Sequence, residues 1–253
     1  MRAALLLLMA LSSLGPAAGA TRVLAWSERS EPPEVYPQGI NGAIAELLSA
    51  ERGVTVTVAN LLDPKQGLSE EVLSRTDVLV WFGHLNHGDV TEENVERVVR
   101  HVFERGMGFL TLHSAHLAGP FRRLMEIKAD EAGVRLEDRI GSWGGARNLG
   151  APERLRVLAP EHPIAAGVTS FVIPETETYL GPFNVPPADV KVLEGSWEGS
   201  EPHGDGLIWY VGRGQVFYFR PGHETHPIYF QPEVQQILRN AIRWLAKPRR
   251  GGT

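Results

Sequence analysis

Three histidines of this 253-residue sequence stand at the ends of short segments rich in apolar residues: His84, His113 and His223. Ligands collect beyond the carboxyl ends of the strands in an open parallel sheet, so side chains directly after a buried strand are candidate site residues. Neutral imidazole binds zinc well, and three protein ligands leave one position open for water or substrate. We therefore predict that these histidines hold a divalent metal, zinc or manganese. The alternative is three hydrogen-bonded structural histidines that line a polar cleft.

Two carboxylates and one further histidine are candidates for proton transfer. Glu177 and Glu224 are side-chain types that remove or return a proton, although a carboxylate after a strand is more often a helix cap or an ion-pair partner. His116 follows His113 by three residues, a spacing that puts both rings on one face of a helical turn. We predict Glu177, Glu224 and His116 as catalytic groups, with Glu177 as the base.

The composition excludes several classes of protein. The 25 basic and 30 acidic residues are interspersed and give a formal net charge of -5, which provides no basic stripe for nucleic acid and no polybasic membrane patch. With no cysteine there is no disulfide framework, no thiolate ligand and no cysteine nucleophile. We expect no nucleic-acid partner, and any metal must be held by histidine, carboxylate or water.

The first twenty residues differ in character from the rest of the chain. They combine a positively charged start, a short apolar run and an A-x-A-like site at residues 18–20, a pattern typical of a secretory signal peptide that is too short to span a membrane. We predict a signal peptide at residues 1–20, a single domain at 21–248 and a frayed tail at 249–253. From the signal peptide we predict export to the periplasm or medium, without membrane insertion of the mature chain. A mis-set start codon before a cytoplasmic protein is the alternative.

The order of elements predicts the sheet that must position these side chains. Helical spacing of apolar residues is found at residues 39–49, after Thr91, and from Pro232 onward. The lone His101 in the second of these helices is predicted to be a surface residue or a partner of the helix dipole. Strand-like apolar segments occur directly before His113 and at residues 22–26, 54–58, 77–82, 154–158 and 191–193. This alternation predicts a parallel α/β sheet with right-handed crossovers.

Other stretches are less regular. Residues 206–211 and 215–219 predict a β-hairpin, and residues 120–125 predict a short helix. Residues 129–150 are rich in charge and glycine, so we predict an irregular excursion over the site. Residues 174–187 are predicted to be a proline-rich connection.

Several motifs extend this pattern over nearly the whole chain. They are VLAWSE (23–28), YPQGI (36–40), WFGHLNH (81–87), LHSAH (112–116), ETY (177–179) and FYFRPGHET (217–225). Together they closely resemble the ThuA-like family, which takes its name from a trehalose-utilisation protein. The resemblance implies a fold like the class I glutamine amidotransferase domain, a flavodoxin-like three-layer sandwich with a mostly parallel central sheet, and a role in carbohydrate catabolism.

The same resemblance limits the chemistry. Amidotransferases carry a cysteine at the elbow where this sequence carries His113, so cysteine-dependent amidotransferase activity is not expected. Two departures from the family pattern, Gly181 in place of an acidic residue and the poorly matching stretch 129–150, indicate that substrate preference differs.

The resemblance also implies a substrate class. Family members are associated with the metabolism of 3-keto sugars beside oxidoreductases that oxidise a sugar at C3, so the expected partners are a small-molecule carbohydrate and, through the pathway, a sugar oxidoreductase. Removing the acidic C2 proton of such a sugar needs a base and an electrophile that holds the enolate, and a divalent metal is such an electrophile. We predict a lyase, hydrolase or isomerase of keto-glycosides that uses a metal and no nucleotide cofactor. The reaction is elimination, hydration or isomerisation.

Aromatic and polar residues of the same motifs are candidates for contact with the sugar. Trp26 and Tyr179 offer flat faces for a sugar ring, although aromatic residues in strands belong by default to the core. Arg220 could bind a hydroxyl group or pair with an acid. We predict Trp26, Glu28, His87, Tyr179 and Arg220 as substrate-binding residues.

Two alternatives to this enzyme remain. One is a metal-free hydrolase of the same fold that uses Ser114, although no histidine and acid accompany that serine at a convincing spacing. The other is a non-catalytic carbohydrate-binding or regulatory domain that keeps the cleft without the chemistry.

Overall fold

A computed structural model of the chain describes residues 19–247. The predicted frayed tail and residues 1–18 of the predicted signal peptide lie outside the described residues, and export stays a prediction. Within the described part of the chain, no helix combines the length and the apolar character needed to cross a membrane.

Nine strands among residues 19–247 form one mixed sheet. They are β1 (Thr21–Ser27), β2 (Val54–Asn60), β3 (Val78–Phe82), β4 (Gly108–Leu112), β5 (Trp143–Val157), β6 (Phe171–Phe183), β7 (Val190–Ser196), β8 (His203–Val211) and β9 (Gly214–Phe219). The order across the sheet is β2-β1-β3-β4-β9-β8-β7-β5-β6. The strands from β2 to β9 in this order pair in parallel, and those from β9 to β6 pair antiparallel.

Helices cover both faces of the parallel half. They are α1 (Gly39–Ser49), α2 (Glu70–Leu73), α3 (Glu92–Arg105), α4 (Gly119–Ala132) and α5 (Pro232–Leu245). The apolar faces of α1 and α5 pack with Val78 and Val80 in one core, and those of α3 and α4 pack with Leu79 in a second core. Successive strand residues point to opposite faces, so a strand buried on both faces is apolar throughout. The predicted three-layer α/β fold is confirmed.

A glycine turn places one of the candidate histidines. Gly106 caps the C-terminus of helix α3, with a φ of 77° in the left-handed region and an N–H that donates to the carbonyl groups of His101 and Val102. Glycine adopts this conformation without steric cost, so the chain turns directly into β4. Strand β4 is completely buried, and His113 is the next residue.

Two of the predicted irregular stretches contain more regular structure than predicted. The proline-rich connection predicted at 174–187 is wrong, because β6 occupies most of it. Strand β6 is at the edge of the sheet, where a proline without an N–H costs no ladder hydrogen bond. The excursion predicted at 129–150 is also shorter than expected, because α4 extends to Ala132 and β5 begins at Trp143.

The surface position predicted for His101 is wrong. Its side chain is buried, and its Nε2 lies 3.1 Å from Oε1 of Glu70 on α2. The partner comes from another helix, 31 residues away in the chain. The local charge pattern of α3 therefore could not show it.

Candidate active site

The three histidines at the strand ends converge. His84 follows β3, His113 follows β4 and His223 follows β9, and these strands are neighbours in the sheet. The ring centroids of His84 and His223 lie 4.8 Å apart, those of His113 and His223 lie 5.7 Å apart, and those of His84 and His113 lie 6.5 Å apart. Both His113 (φ 47°) and His223 (φ 98°) have positive φ values, which non-glycine residues rarely adopt and which often occur at functional sites.

His113 is completely buried, and both of its ring nitrogens contact protein groups. Its Nδ1 lies 2.9 Å from the carbonyl oxygen of Arg220, and its Nε2 lies 2.8 Å from Oε2 of Glu177 and 2.9 Å from the hydroxyl of Tyr179. A carbonyl oxygen only accepts, so Nδ1 carries a proton. The Nε2 contact with Glu177 therefore shares one further proton between ring and carboxyl group. His113 and Glu177 form a proton-sharing pair.

The environment of Glu177 keeps it ionised at neutral pH. Burial by itself would raise its pKa, but the hydrogen bond from His113 and the nearby charges of His113, His223 and His84 hold the pKa below its usual value. The side chain is 8% exposed and lines a cleft that His116 and Trp143 also line. Glu177 is thus a carboxylate able to accept a proton from a bound molecule.

His84, His223 and Glu224 form the second group of the site. Among residues 19–247, these three offer ligand atoms that lie within 4.8 Å of one another. His84 Nδ1 donates to Oε1 of Glu224 at 2.5 Å, while Oε2 of Glu224 is buried and has no hydrogen-bond partner. His113 does not belong to this group. Of the three histidines predicted to bind a metal, the structure therefore brings His84 and His223 together with Glu224, while both ring nitrogens of His113 contact protein groups. Metal binding itself stays a prediction.

The charges of this second group depend on each other. The carboxylate of Glu224 raises the pKa of His84, an effect that burial opposes. Burial would raise the pKa of Glu224, but the hydrogen bond from His84 and the charges of His84 and His223 lower it. Burial lowers the pKa of His223, which favours its neutral, ligand-competent form.

Glu28 holds the loop that carries His84. Its carboxylate accepts backbone N–H bonds from His84 at 2.6 Å, from Asn86 at 3.0 Å and from Leu85. Its side chain is 4% exposed. The predicted contact of Glu28 with substrate is therefore corrected to a structural role, since its oxygens already bind three backbone donors.

His116 is a buried, neutral histidine at the wall of the cleft. Its Nδ1 donates to the carbonyl oxygen of Gly141 at 2.6 Å, so the lone pair is on Nε2. Burial lowers its pKa to about 3, an effect that the hydrogen bond to Gly141 opposes. At neutral pH His116 therefore stays neutral and accepts hydrogen bonds at Nε2, and the predicted role of His116 in proton transfer is not favoured. His87 nearby has a buried Nε2 without a hydrogen-bond partner, and burial lowers its pKa as well.

Acid should destabilise the fold partly through His116. The folded pKa of about 3 lies below the ordinary histidine pKa of 6.5, so the unfolded chain binds the proton first. The corresponding stability is complete above the unfolded pKa and is lost as the pH falls toward the folded pKa, by about 1.4 kcal/mol per pH unit. Between about pH 6.5 and about pH 4, we expect the unfolding free energy of the wild type to fall by about 2 to 3 kcal/mol more than that of His116→Gln.

Urea denaturation at a series of pH values measures this difference. His226→Gln is the matched control, because His226 is a less buried histidine of the same region. Parallel pH profiles for wild type and His116→Gln would contradict a neutral, buried His116.

A cleft of about 300 Å³ opens beside these groups. It is lined by His84, Ser114, His116, Leu117, Arg139, Ser142, Trp143, Gly145, Ala146, Glu177 and Tyr179. The indole of Trp143 stacks on Phe183 with ring centroids 4.2 Å apart and an interplanar angle of 2°. A rigid, partly exposed aromatic face of this kind suits the apolar face of a sugar ring. Trp143 was not among the predicted site residues, although an indole within the glycine-rich segment 141–145 was a signal for it.

Two predicted substrate contacts lie away from the cleft. Trp26 is 1% exposed and stacks on Trp81 within the core, with ring centroids 3.9 Å apart. Arg220 is completely buried between Glu153 and Asp205. Both predictions are corrected, since neither side chain reaches the cleft. Tyr179 lines the cleft but is 5% exposed, and its hydroxyl contacts His113 and Ser114.

Ser114 lacks the partner that a nucleophilic serine needs. Its Oγ lies 2.8 Å from the hydroxyl of Tyr179, and no hydrogen bond joins it to an imidazole among the described residues. Burial raises the pKa of Tyr179 well above its usual value, so the phenol stays protonated and does not act as a base. The geometry does not favour the serine hydrolase considered above.

The mixed sheet between helix layers and the polar site beyond its parallel strand ends define an amidotransferase-like α/β protein. Residues 22–245 match the family model ThuA, described as trehalose utilisation. The chain therefore belongs to the ThuA family, a family associated with carbohydrate utilisation. No curated protein matches the sequence.

Solved structures show the same fold at low sequence identity. A ThuA-like protein of Parabacteroides merdae is similar with a TM-score of 0.66 and 16% identity, covering 93% of both chains. A ThuA-like protein of Bacteroides uniformis gives a TM-score of 0.63 and 16% identity over 92% of this chain and 95% of its own. A Salmonella typhimurium protein described as cytoplasmic gives 0.58 and 13% over 91% of this chain and 100% of its own.

Proposed function

We propose that this ThuA-family protein is an enzyme that removes the C2 proton of a 3-keto sugar or glycoside, with Glu177 as the base. The observation that carries the proposal is the proton-sharing pair of His113 and Glu177 at the wall of a cleft with a stacked indole. A carboxylate that is ionised at neutral pH and hydrogen-bonded to an imidazole is equipped to accept a proton and pass it on.

The route of the proton follows from the hydrogen bonds. The carboxylate of Glu177 accepts the proton from C2, while the proton between Oε2 of Glu177 and Nε2 of His113 keeps the two groups hydrogen-bonded. The carbonyl of Arg220 keeps the other proton of the ring on Nδ1 throughout. The pair therefore stores the abstracted proton and returns it to the product, as an isomerisation or elimination requires.

His116 and Trp143 have roles in orientation. The Nε2 lone pair of His116 can accept a hydrogen bond from a sugar hydroxyl, because Nδ1 is fixed as the donor to Gly141. The indole of Trp143 provides a flat surface beside it. Together they would hold the ring with C2 toward Glu177, and such positioning contributes a large part of an enzyme's rate.

The second group has the donor set of a divalent cation site. His84, His223 and Glu224 supply two imidazoles and a carboxylate, a combination that suits zinc or manganese. Glu224 Oε2 is buried without a partner, as expected for an atom that a cation would satisfy. When bound, the cation would supply Lewis-acid polarisation of the sugar ketone. The hydrogen bond from His84 Nδ1 to Glu224 orients one ligand against another.

Calorimetric titration with zinc and manganese chloride tests the cation site. The wild type should bind one equivalent, and Glu224→Gln should bind at least about tenfold more weakly, because it removes a charged ligand. Glu175→Gln is the matched control, since Glu175 is 69% exposed near the same region. Equal affinity of wild type and Glu224→Gln for both ions would refute the assignment of the cation to this group.

A further inference from the structure

A buried group of charges lies behind the site, and the proposed function does not use it. The guanidinium of Arg220 donates through Nε to Oδ1 of Asp205 and through Nη2 to Oε1 of Glu153. All three side chains are completely buried. Charged groups are rarely buried to this extent, and the ion pairs of the guanidinium with both carboxylates offset part of the cost. One polar atom of each side chain is buried without a hydrogen-bond partner.

The group joins strands that are far apart in the sequence. Glu153 belongs to β5, Asp205 belongs to β8, and Arg220 directly follows β9. Strand β7 lies between β8 and β5, and there Gly195 leaves room for the two carboxylates. A Cβ at Gly195 would lie 1.9 Å from Oδ2 of Asp205 and 2.7 Å from Oε1 of Glu153. The ion pairs of Arg220 thereby connect it to two strands of the antiparallel half of the sheet, β5 and β8.

Aromatic residues close this group off from solvent. Nε2 of His203 lies 3.0 Å from Oε1 of Glu153 and 3.4 Å from Oδ1 of Asp205. The Trp197 ring lies 4.4 Å from the His203 ring and 5.9 Å from the guanidinium carbon of Arg220. Glu153, His203 and Asp205 also have the spacing of metal ligands, but the guanidinium already occupies the position of a cation.

The backbone of Arg220 connects this group to the site. Its N–H donates to the carbonyl of Asp205 at 2.9 Å, and its own carbonyl accepts from Nδ1 of His113 at 2.9 Å. The side chain and the backbone N–H of this residue are thus both fixed to neighbouring strands. The carbonyl that faces His113 is fixed with them.

We propose that Arg220 is a positioning residue: anchored by Glu153 and Asp205, it holds the carbonyl that keeps His113 protonated at Nδ1 and leaves Nε2 directed at Glu177. If the His113 ring rotated or changed tautomer, the hydrogen bond between its Nε2 and Oε2 of Glu177 would be lost. The kinetic consequence rests on the proposed function, whereas the state of the His113 ring does not.

NMR of protein labelled with ¹⁵N-histidine reads this state without a substrate. In the wild type, His113 should show a protonated Nδ1 whose hydrogen exchanges slowly with solvent. Arg220→Lys keeps the positive charge but loses the fork that reaches both carboxylates. We expect its Nδ1 hydrogen to exchange at least about tenfold faster, with a mixture of ring tautomers, and kcat on a 3-keto-glucoside to fall more than KM changes.

Two further variants make the test decisive. Arg97→Lys is the matched control, because Arg97 pairs with Glu93 and Asn94 on α3 and does not touch His113. Asp205→Asn keeps the shape of the side chain and should show a smaller effect in the same direction, which gives a result even where Arg220→Lys does not fold. His113 signals identical to wild type in folded Arg220→Lys, or in Asp205→Asn where that variant alone folds, would overturn the proposal. Altered signals without any turnover by the wild type would overturn the proposed function alone.

Discussion

Replacing Glu177 by glutamine is expected to lower kcat on a 3-keto-glucoside by about 10² to 10⁴, the range that a positioned general base contributes. The amide keeps the shape of the side chain and an oxygen that faces Nε2 of His113. It has no basic oxygen that accepts a proton from carbon. KM should change little, because the substitution does not touch Trp143 and His116, the residues proposed to contact the sugar.

Glu175→Gln is the matched control for this experiment. Glu175 is two residues earlier on β6, and its side chain is 69% exposed. It should retain wild-type kcat and KM in the same coupled or NMR-based assay. Full activity of Glu177→Gln would contradict the assignment of the base, and equal losses in both variants would show that β6 is merely sensitive to substitution.

A second large effect is expected at Gly222, where two chain segments touch. A Cβ at this position would lie 2.4 Å from Cβ of His113, and 2.7 Å from both Cγ of His113 and the hydroxyl of Tyr229. His113 cannot move away easily, because its ring is hydrogen-bonded at both nitrogens and its backbone has a φ of 47°. We expect Gly222→Ala to cost about 1 to 3 kcal/mol of unfolding free energy through overpacking.

The same substitution should reduce activity further than its effect on stability explains. Displacing His113 by about 1 Å would misalign the proton-sharing pair, and displacements of that size cost about 10² in rate. Urea denaturation and initial rates measure the two effects. Gly88→Ala is the control, since a Cβ there meets nothing within 4 Å. A Gly222→Ala protein with wild-type stability and rate would show that this contact does not position His113.

The parallel half of the fold could be predicted because its pattern is local. The bounds predicted for α1, residues 39–49, agree with the structure, since the apolar spacing of Ile40, Ile44 and Leu48 faces one core. The antiparallel half has no such pattern. Strand β5 is interrupted by register shifts. Strand β6 is at the sheet edge and tolerates Pro174 and Pro182.

The site, like the fold, could be predicted only in part. His84, His113 and His223 could be found because residues after parallel strands meet at one edge of the sheet. The partners of Arg220 could not, because Asp205 and Glu153 are 15 and 67 residues away in the chain. The structural role of Glu28 depends likewise on backbone donors 56 to 58 residues distant. Contacts of such long range depend on the packing of strands, which sequence periodicity does not specify.

The most direct test of the proposed function is proton exchange at C2. A 3-keto-glucoside is incubated in D₂O with the wild-type protein and zinc or manganese, and the C2 proton is followed by ¹H NMR. We expect the C2 signal to disappear, with deuterium at C2 in the recovered sugar or with formation of product, and we expect Glu177→Gln to leave the signal unchanged. A wild-type protein that binds the keto sugar by calorimetry but leaves every C2 proton in place would contradict it and indicate a binding domain.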